Sequence, residues 1–162
     1  NGHEIHVQLR GGRVTHIPVD RLVDEVKSDF QSKASKLTSA DSYVGAVGPR
    51  GGFSMRYMIE RVGSTGQGTL VGVTQWQLIP STTQLGETLE EAFAQQSDFR
   101  LGLAGESPRD TTITLWVYPD SFEVYRELRK ELYRAGFATA GRPLPEGVLI
   151  GASPMGSKSA AQ

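Results

Sequence analysis

The sequence predicts a mixed α/β (α+β) domain, and three patterns carry that reading. Gly11-Gly12 joins two runs of alternating apolar and polar residues, which is the signature of an N-terminal β-hairpin. Three further β-rich runs between Tyr43 and Ile79 read as an antiparallel meander. Thr112 to Phe137 reads as a strand, a helix at 3.6-residue spacing, and the start of another strand, a C-terminal βαβ unit. The expected architecture is a mixed sheet with helices mainly on one face.

The elements follow in order. Ile5, Val7 and Leu9 alternate with polar neighbours, as in a half-buried strand. Arg13 to Val19 is the return strand, and the two-residue turn pairs Arg10 with Arg13, Val7 with His16 and His6 with Ile17. Asp20 then caps a helix to about Ser35, with Leu22, Val23, Val26 and Phe30 on its apolar face. Leu37 to Asp41 is a loop.

The meander runs Tyr43–Val47, a tip at Gly48–Gly52, Phe53–Val62, a flexible connection at Gly63–Gly68, and Thr69–Ile79, which Pro80 ends. Leu85, Leu89, Ala92 and Phe93 mark a helix to about Ser97. Gly102, Gly105 and Pro108 make Arg100–Asp110 a loop. The strand Thr112–Tyr118 leads to Asp120, which with Glu123 makes a capping-box pattern. Val124, Tyr125, Leu128, Leu132 and Ala135 line one helix face, and Gly136 is the stop. A helical crossover makes Ala138–Leu144 parallel to Thr112–Tyr118. Residues 1–150 are expected as a single globular domain, with a hairpin–helix–meander part to residue 80 and a helix plus βαβ part from 81. Residues 151–162 are small and polar and read as a flexible tail.

Composition narrows the function. The 162 residues hold 17 basic and 18 acidic side chains, a net charge of −1. That balance argues against a nucleic-acid partner, which calls for a basic excess or stripe. Cysteine is absent, so disulfides, thiolate metal sites and cysteine nucleophiles are excluded. No apolar run approaches the roughly 20 residues of a membrane span, so this chain is not expected to insert directly. It opens at Asn1, which leads to the expectation of a piece cut from a longer protein.

No catalytic, cofactor or metal signature emerges. Pleating sends His6 and His16 to opposite faces of the hairpin, so they cannot share a metal. Gly63-Ser64-Thr65-Gly66-Gln67-Gly68 lies between strands and lacks both a following helix and a Gly-Lys-Ser/Thr, so it reads as a hairpin connection. Asp120 sits at the carboxyl end of a strand, where α/β sheets often bind ligands. The reading is a helix cap. The alternative is a small-molecule-binding or hydrolytic domain centred near Asp120.

Phe53, Met55, Tyr57 and Ile59 alternate along one strand, with Trp76 and Leu78 on its partner. That face is either core or a peptide-binding surface, which makes Tyr57 and Trp76 candidate partner-binding residues. Gly141-Arg142-Pro143-Leu144-Pro145-Glu146-Gly147 is either an edge strand with a built-in stop or a segment presenting Arg142 and Glu146 to a partner. The charged face Glu123, Arg126, Glu127, Lys130, Glu131 and Arg134 mixes both signs and reads as solvated.

The stretch Ile113-Thr-Leu-Trp-Val-Tyr-Pro-Asp-Ser-Phe-Glu-Val-Tyr-Arg-Glu-Leu-Arg-Lys-Glu-Leu-Tyr-Arg-Ala-Gly-Phe137 resembles the periplasmic βαβ segment of the ExbD/TolR family. That segment has a strand, an Asp-containing turn, a helix, and Ala-Gly before the next strand. Val7 to Val26 is also similar to uncharacterised bacterial proteins in which an ExbD-like membrane helix and a coiled coil precede a C-terminal globular domain. The resemblance implies an extracytoplasmic, non-enzymatic domain of a membrane-anchored envelope protein, accessory to a proton-driven transport motor. Its functions would be protein binding, self-association or scaffolding; a purely structural domain is the remaining alternative. The family's functional Asp lies in a membrane span with no counterpart in this sequence, so no site residue is carried over.

Overall fold

A computed structural model describes residues 2–33 and 42–152. The chain forms two compact units. One comprises residues up to Val19 together with Thr82–Val148, and the other comprises Asp20–Ser81 with the chain from Leu149. The boundary therefore does not follow a cut at residue 80. The N-terminal hairpin belongs with the βαβ elements, because its first strand pairs with theirs.

The first unit is a five-stranded mixed sheet. β1 (His3–Arg10) and β2 (Arg13–Ile17) form the hairpin, β6 (Glu87–Thr88) flanks β2, and β7 (Thr111–Val117) and β8 (Ala138–Pro143) continue from β1. The hairpin register is the expected one, with Arg10 opposite Arg13 and His6 opposite Ile17. Gly11 and Gly12 both take positive φ, 61° and 69°, which a two-residue turn of this twist demands of its central residues. β1 runs parallel to β7, and β7 parallel to β8 across α4 (Phe122–Arg134).

Ile5, Val7, Leu9, Val14, Ile113, Leu115 and Val117 pack with Ala92, Phe99, Leu128 and Leu132 as one buried cluster. The last four come from α2 (Leu89–Phe93), α3 (Asp98–Leu103) and α4. These helices therefore share the apolar face. The register places Glu4, His6, Gln8, Thr114 and Trp116 on the opposite, polar face. There Trp116 is the middle of a row. Its indole N–H donates to His6 Nδ1 at 3.0 Å, the two rings stack, and the Arg142 guanidinium lies 5.3 Å from the Trp116 ring centroid.

Two stretches between the units of sequence pattern differ from expectation. Leu85–Ser97 is not one helix. Gly86 takes φ +98°, Glu87–Thr88 pairs with β2, and only Leu89–Phe93 is helical. The helix cap is Thr88, whose hydroxyl accepts from the Glu91 amide at 3.2 Å and donates to the Glu91 carboxylate at 2.9 Å. The expected loop from Arg100 is partly helix. α3 starts at Asp98 because Ser97 accepts from the Arg100 amide at 3.0 Å, while the Glu87 carboxylate takes the amides of Asp98 and Phe99. Its Gly102 lets the His16 ring approach closely; a Cβ there would sit 2.6 Å from it.

One side chain of this unit is left at a disadvantage. The Thr15 hydroxyl is buried and has no hydrogen-bond partner among the described residues. Burying a hydroxyl without a partner costs more than burying a methyl group of the same shape. Thr15→Val should therefore stabilise the protein by about 1 kcal/mol. A urea midpoint that falls in this variant would show that the hydroxyl has a partner in solution.

The second unit holds α1 (Val19–Lys33, here from Asp20) and a four-stranded antiparallel sheet. Its strand order is β3 (Ser42–Arg50), β4 (Phe53–Thr65), β5 (Gly68–Pro80) and β9 (Gly151–Ala152). The meander thus forms a sheet of its own. α1 begins at Val19, so Asp20 sits in its first turn rather than capping it, still where a carboxylate suits the helix dipole. Its expected end near Ser35 and the loop Leu37–Asp41 lie outside the described residues. Leu22 and Val26 are buried, as are Phe53, Met55, Tyr57 and Ile59 on alternate positions of β4. The Glu25 carboxylate ties α1 to the β3 tip, accepting from the Gly48 amide at 3.1 Å and Arg50 Nε at 2.5 Å.

The expected tail needs a correction at its start. Gly151 and Ala152 pair with Gln77 and Trp76, because Leu149-Ile150 brings the chain alongside β5 and Ile150 is buried. Residues 153–162 lie outside the described residues.

Candidate functional site

Asp120 does not cap α4. A 3-10 turn, Pro119–Ser121, separates β7 from the helix and makes Ser121 the residue before its first turn, one position beyond Asp120. No side chain caps that end. The carboxylate turns to the hairpin instead. Both Asp120 oxygens accept from the Gly11 amide at 3.0 Å. The buried Ser121 hydroxyl accepts from the Gly12 amide at 3.0 Å and donates to Asp120 at 2.8 Å. A two-residue turn leaves its central amides without ladder partners, and this Asp-Ser pair supplies them. No local pattern encodes the contact, since the partners are 109 residues apart.

The consequence is testable. Asp120→Ala should cost about 1 kcal/mol, because it removes an acceptor from an exposed turn amide. Asp120→Asn should cost less, since its carbonyl oxygen still accepts. Urea melts of both variants check this. An equal loss for both would mean that the negative charge matters and not the acceptor.

The four candidate partner-binding residues fall in different places. Arg142 and Glu146 belong to the first unit. Arg142 is exposed on the edge strand β8, its guanidinium over Trp116, and Glu146 is exposed in the turn beyond it. The proline-stopped edge-strand reading of this segment describes Ala138–Pro143. Tyr57 and Trp76 belong to the second unit and face each other across β4 and β5. Of the two readings of its face, the core one describes Tyr57, which removes it as a partner-binding candidate: it is 1% exposed and its hydroxyl donates to Asp29 on α1. Trp76 is half-buried, between Tyr57 on one side and Ala152 on the other.

Burial raises the Tyr57 hydroxyl far above its ordinary value, reinforced by the Asp29 hydrogen bond. Burial also raises Tyr118, against a smaller opposing effect of the Arg10 guanidinium over its ring. A raised folded value means that the unfolded chain ionises first. The stability from these neutral hydroxyls is complete below about pH 10 and is lost as pH climbs past it. Tyr57→Phe should flatten that alkaline loss, read as the urea midpoint against pH.

His6 and His16 occupy opposite faces of the hairpin, and His3 Nδ1 lies 2.8 Å from the Glu106 carboxylate. Among the described residues, no three His, Cys, Asp or Glu side chains gather as a metal site would require. A shallow, open depression of about 480 Å³ runs along α1, lined by Asp24, Glu25, Ser28, Asp29 and Ser32. Glu25 and Asp29 are already engaged there by Gly48, Arg50 and Tyr57.

The expected connection at Gly63–Gly68 is the end of an arm. β4 and β5 continue as a paired ladder through Thr65 and Gly68, leaving Gly66-Gln67 as the tip. Among the described residues, β3 accompanies β4 as far as Glu60, opposite Ser42. Beyond that point the described arm is two-stranded. Every residue from Arg61 to Leu70 is exposed, and among them Val62 and Leu70 are 59% and 52% exposed. Sequence reasoning missed the arm because glycines that signal a loop also permit a bulged strand. The register shifts between Arg61 and Gly63, where Val62 is the extra residue.

Compared with known proteins, the chain matches no family model, no curated protein and no solved structure.

Proposed function

We propose that this chain is a non-catalytic binding or scaffold domain of a larger bacterial envelope protein, and that the β4–β5 arm is its protein-binding element. The arm carries the reading. An isolated two-stranded ladder is marginal in water because neither face is covered. An arm that also exposes Val62 and Leu70 gains by laying them against another protein. The use of Asp120 and Ser121 to hold the Gly11-Gly12 turn favours a structural role for the residues otherwise best placed for chemistry.

The ExbD/TolR resemblance adds context. Its strand, Asp-containing turn, helix and Ala-Gly-strand correspond here to β7, the Pro119–Ser121 turn, α4 and β8. On that basis the domain is extracytoplasmic and its parent accessory to a transport system of that type. A photo-crosslinking residue at Leu70, placed in the parent protein in its own host, tests the binding reading. Discrete protein adducts are expected, and they should vanish when Arg61–Leu70 is replaced by a two-residue turn. Absence of any adduct at Leu70 and at Val62 would overturn it.

A further inference from the structure

We propose that the outer edge of β5, from Gly68 to Val73, pairs antiparallel with the same edge of a second copy of this chain, joining two arms about a two-fold axis. The proposal deepens the binding reading of the arm by naming its partner. β5 is bonded to β4 along its inner side. On its outer side, among the described residues, β9 meets Trp76 and Gln77, and the Leu78 amide reaches the Ile150 carbonyl at 2.8 Å. From Gly68 to Gln75 no strand adjoins that side among the described residues.

Open edges are normally blunted by charge, proline, a bulge or short length. Gly68-Thr69-Leu70-Val71-Gly72-Val73 has neither charge nor proline. The bulged residue opposite it, Val62, lies on β4, so β5 itself runs unbroken until Thr74, the extra residue at the next register shift. Among the described residues, this leaves an uncharged row of main-chain donors and acceptors along the edge.

The strand suits its own copy in particular. Antiparallel self-pairing sets each residue against itself or a symmetric mate, so any charge would meet a like charge. All of β5, Gly68–Pro80, contains no Asp, Glu, Lys or Arg. Its Thr69, Val71 and Val73 are β-branched, the type that favours cross-strand pairs. Val62 and Leu70 add a second reason. A Cβ on Gly72 would lie 3.7 Å from Val62, and one on Gly63 would lie 3.8 Å from Leu70, so Val62 and Leu70 share one face of the arm. A two-fold axis perpendicular to the sheet keeps that face on the same side in both copies. The two Val62–Leu70 pairs then form one apolar stripe flanked by glycines. Such an interface is isologous and closes at a dimer.

Sedimentation of the 162-residue chain over a concentration series tests this directly. The expected result is a mass that rises from one chain to two, with amides of Gly68–Val73 becoming protected from hydrogen exchange over the same range. Val62→Lys with Leu70→Lys should abolish the dimer and leave the circular dichroism unchanged, because both side chains are exposed. Leu101→Lys, at an exposed site on α3, should leave the dimer intact. A chain that stays monomeric, a dimer undiminished by the double lysine variant, or a dimer that forms only after removal of residues 153–162 would each overturn the proposal. In the last case those residues would hold the edge instead. Adducts to another protein at Leu70 in a monomeric chain would remove the second copy while keeping the protein-binding reading.

Discussion

Leu128→Ala and Leu132→Ala are each expected to destabilise the protein by about 2–5 kcal/mol. Both lie on α4 four residues apart, so they point the same way from one helix face. They are 0% and 3% exposed and belong to the cluster formed with Ile113, Leu115 and Val117 of β7. Truncation removes the transfer energy of the deleted atoms and leaves a cavity that a close-packed sheet–helix layer cannot refill. The two losses should not add, because neighbouring side chains share the same walls. Tyr133→Ala, on the same helix at 80% exposure, is the control and should shift stability by no more than about 0.5 kcal/mol. Urea melts that show under about 0.5 kcal/mol for both leucines would remove α4 from the core.

Gly86→Ala should cost a similar amount, about 2–5 kcal/mol, through backbone rather than cavity effects. Gly86 takes φ +98°, where an L side chain is strained. A Cβ there would also meet the Val14 carbonyl oxygen at 2.5 Å and Thr15 Oγ1 at 2.3 Å. The Val14 backbone cannot yield without disturbing β2, whose Val14 pairs with Glu87. The Gly86 carbonyl also accepts from Arg13 at 3.0 Å. Gly147→Ala is the comparison. It shares a positive φ, 79°, but a Cβ there meets nothing within 4 Å, so it isolates the strain from the clash. Equal losses in the two variants would show that crowding against β2 contributes nothing.

Most of the regular elements were legible because their signals are local. Alternation in Ile5, Val7 and Leu9, the Gly11-Gly12 pair, and the 3.6-residue spacing of Leu128 and Leu132 each involve neighbours in sequence. The hairpin register followed from the turn alone, to the residue. Short elements were harder. α2 and α3 span five and six residues, too few for a periodic signal, and their caps at Thr88 and Ser97 stand beside glycines that signal loop. Of the candidate site residues, Arg142 and Glu146 are exposed, which fits both the edge-strand and the partner-presenting alternatives for their segment. Tyr57 follows the core alternative for its face, because the apolar side of an alternating strand is the side that gets covered.

Local patterns in the chain set the mixed α/β class, the hairpin and its register, the meander and the parallel β7–α4–β8 unit. These depend on periodicity, turn chemistry and the handedness of crossovers, which act over a few residues. Folding in three dimensions set β1 parallel to β7, made the meander a separate sheet, and ran β4 and β5 on into an exposed arm. It also placed Asp120 on the Gly11 amide and not on a helix end. Two of these turn on distance: the open edge of β1 and the Gly11 amide accept any partner of suitable geometry, and the partners that arrive lie about a hundred positions away in the chain. The other two are local pairings whose outcome the pattern leaves open, because an antiparallel meander can join either sheet and glycines suit a bulged ladder as well as a loop.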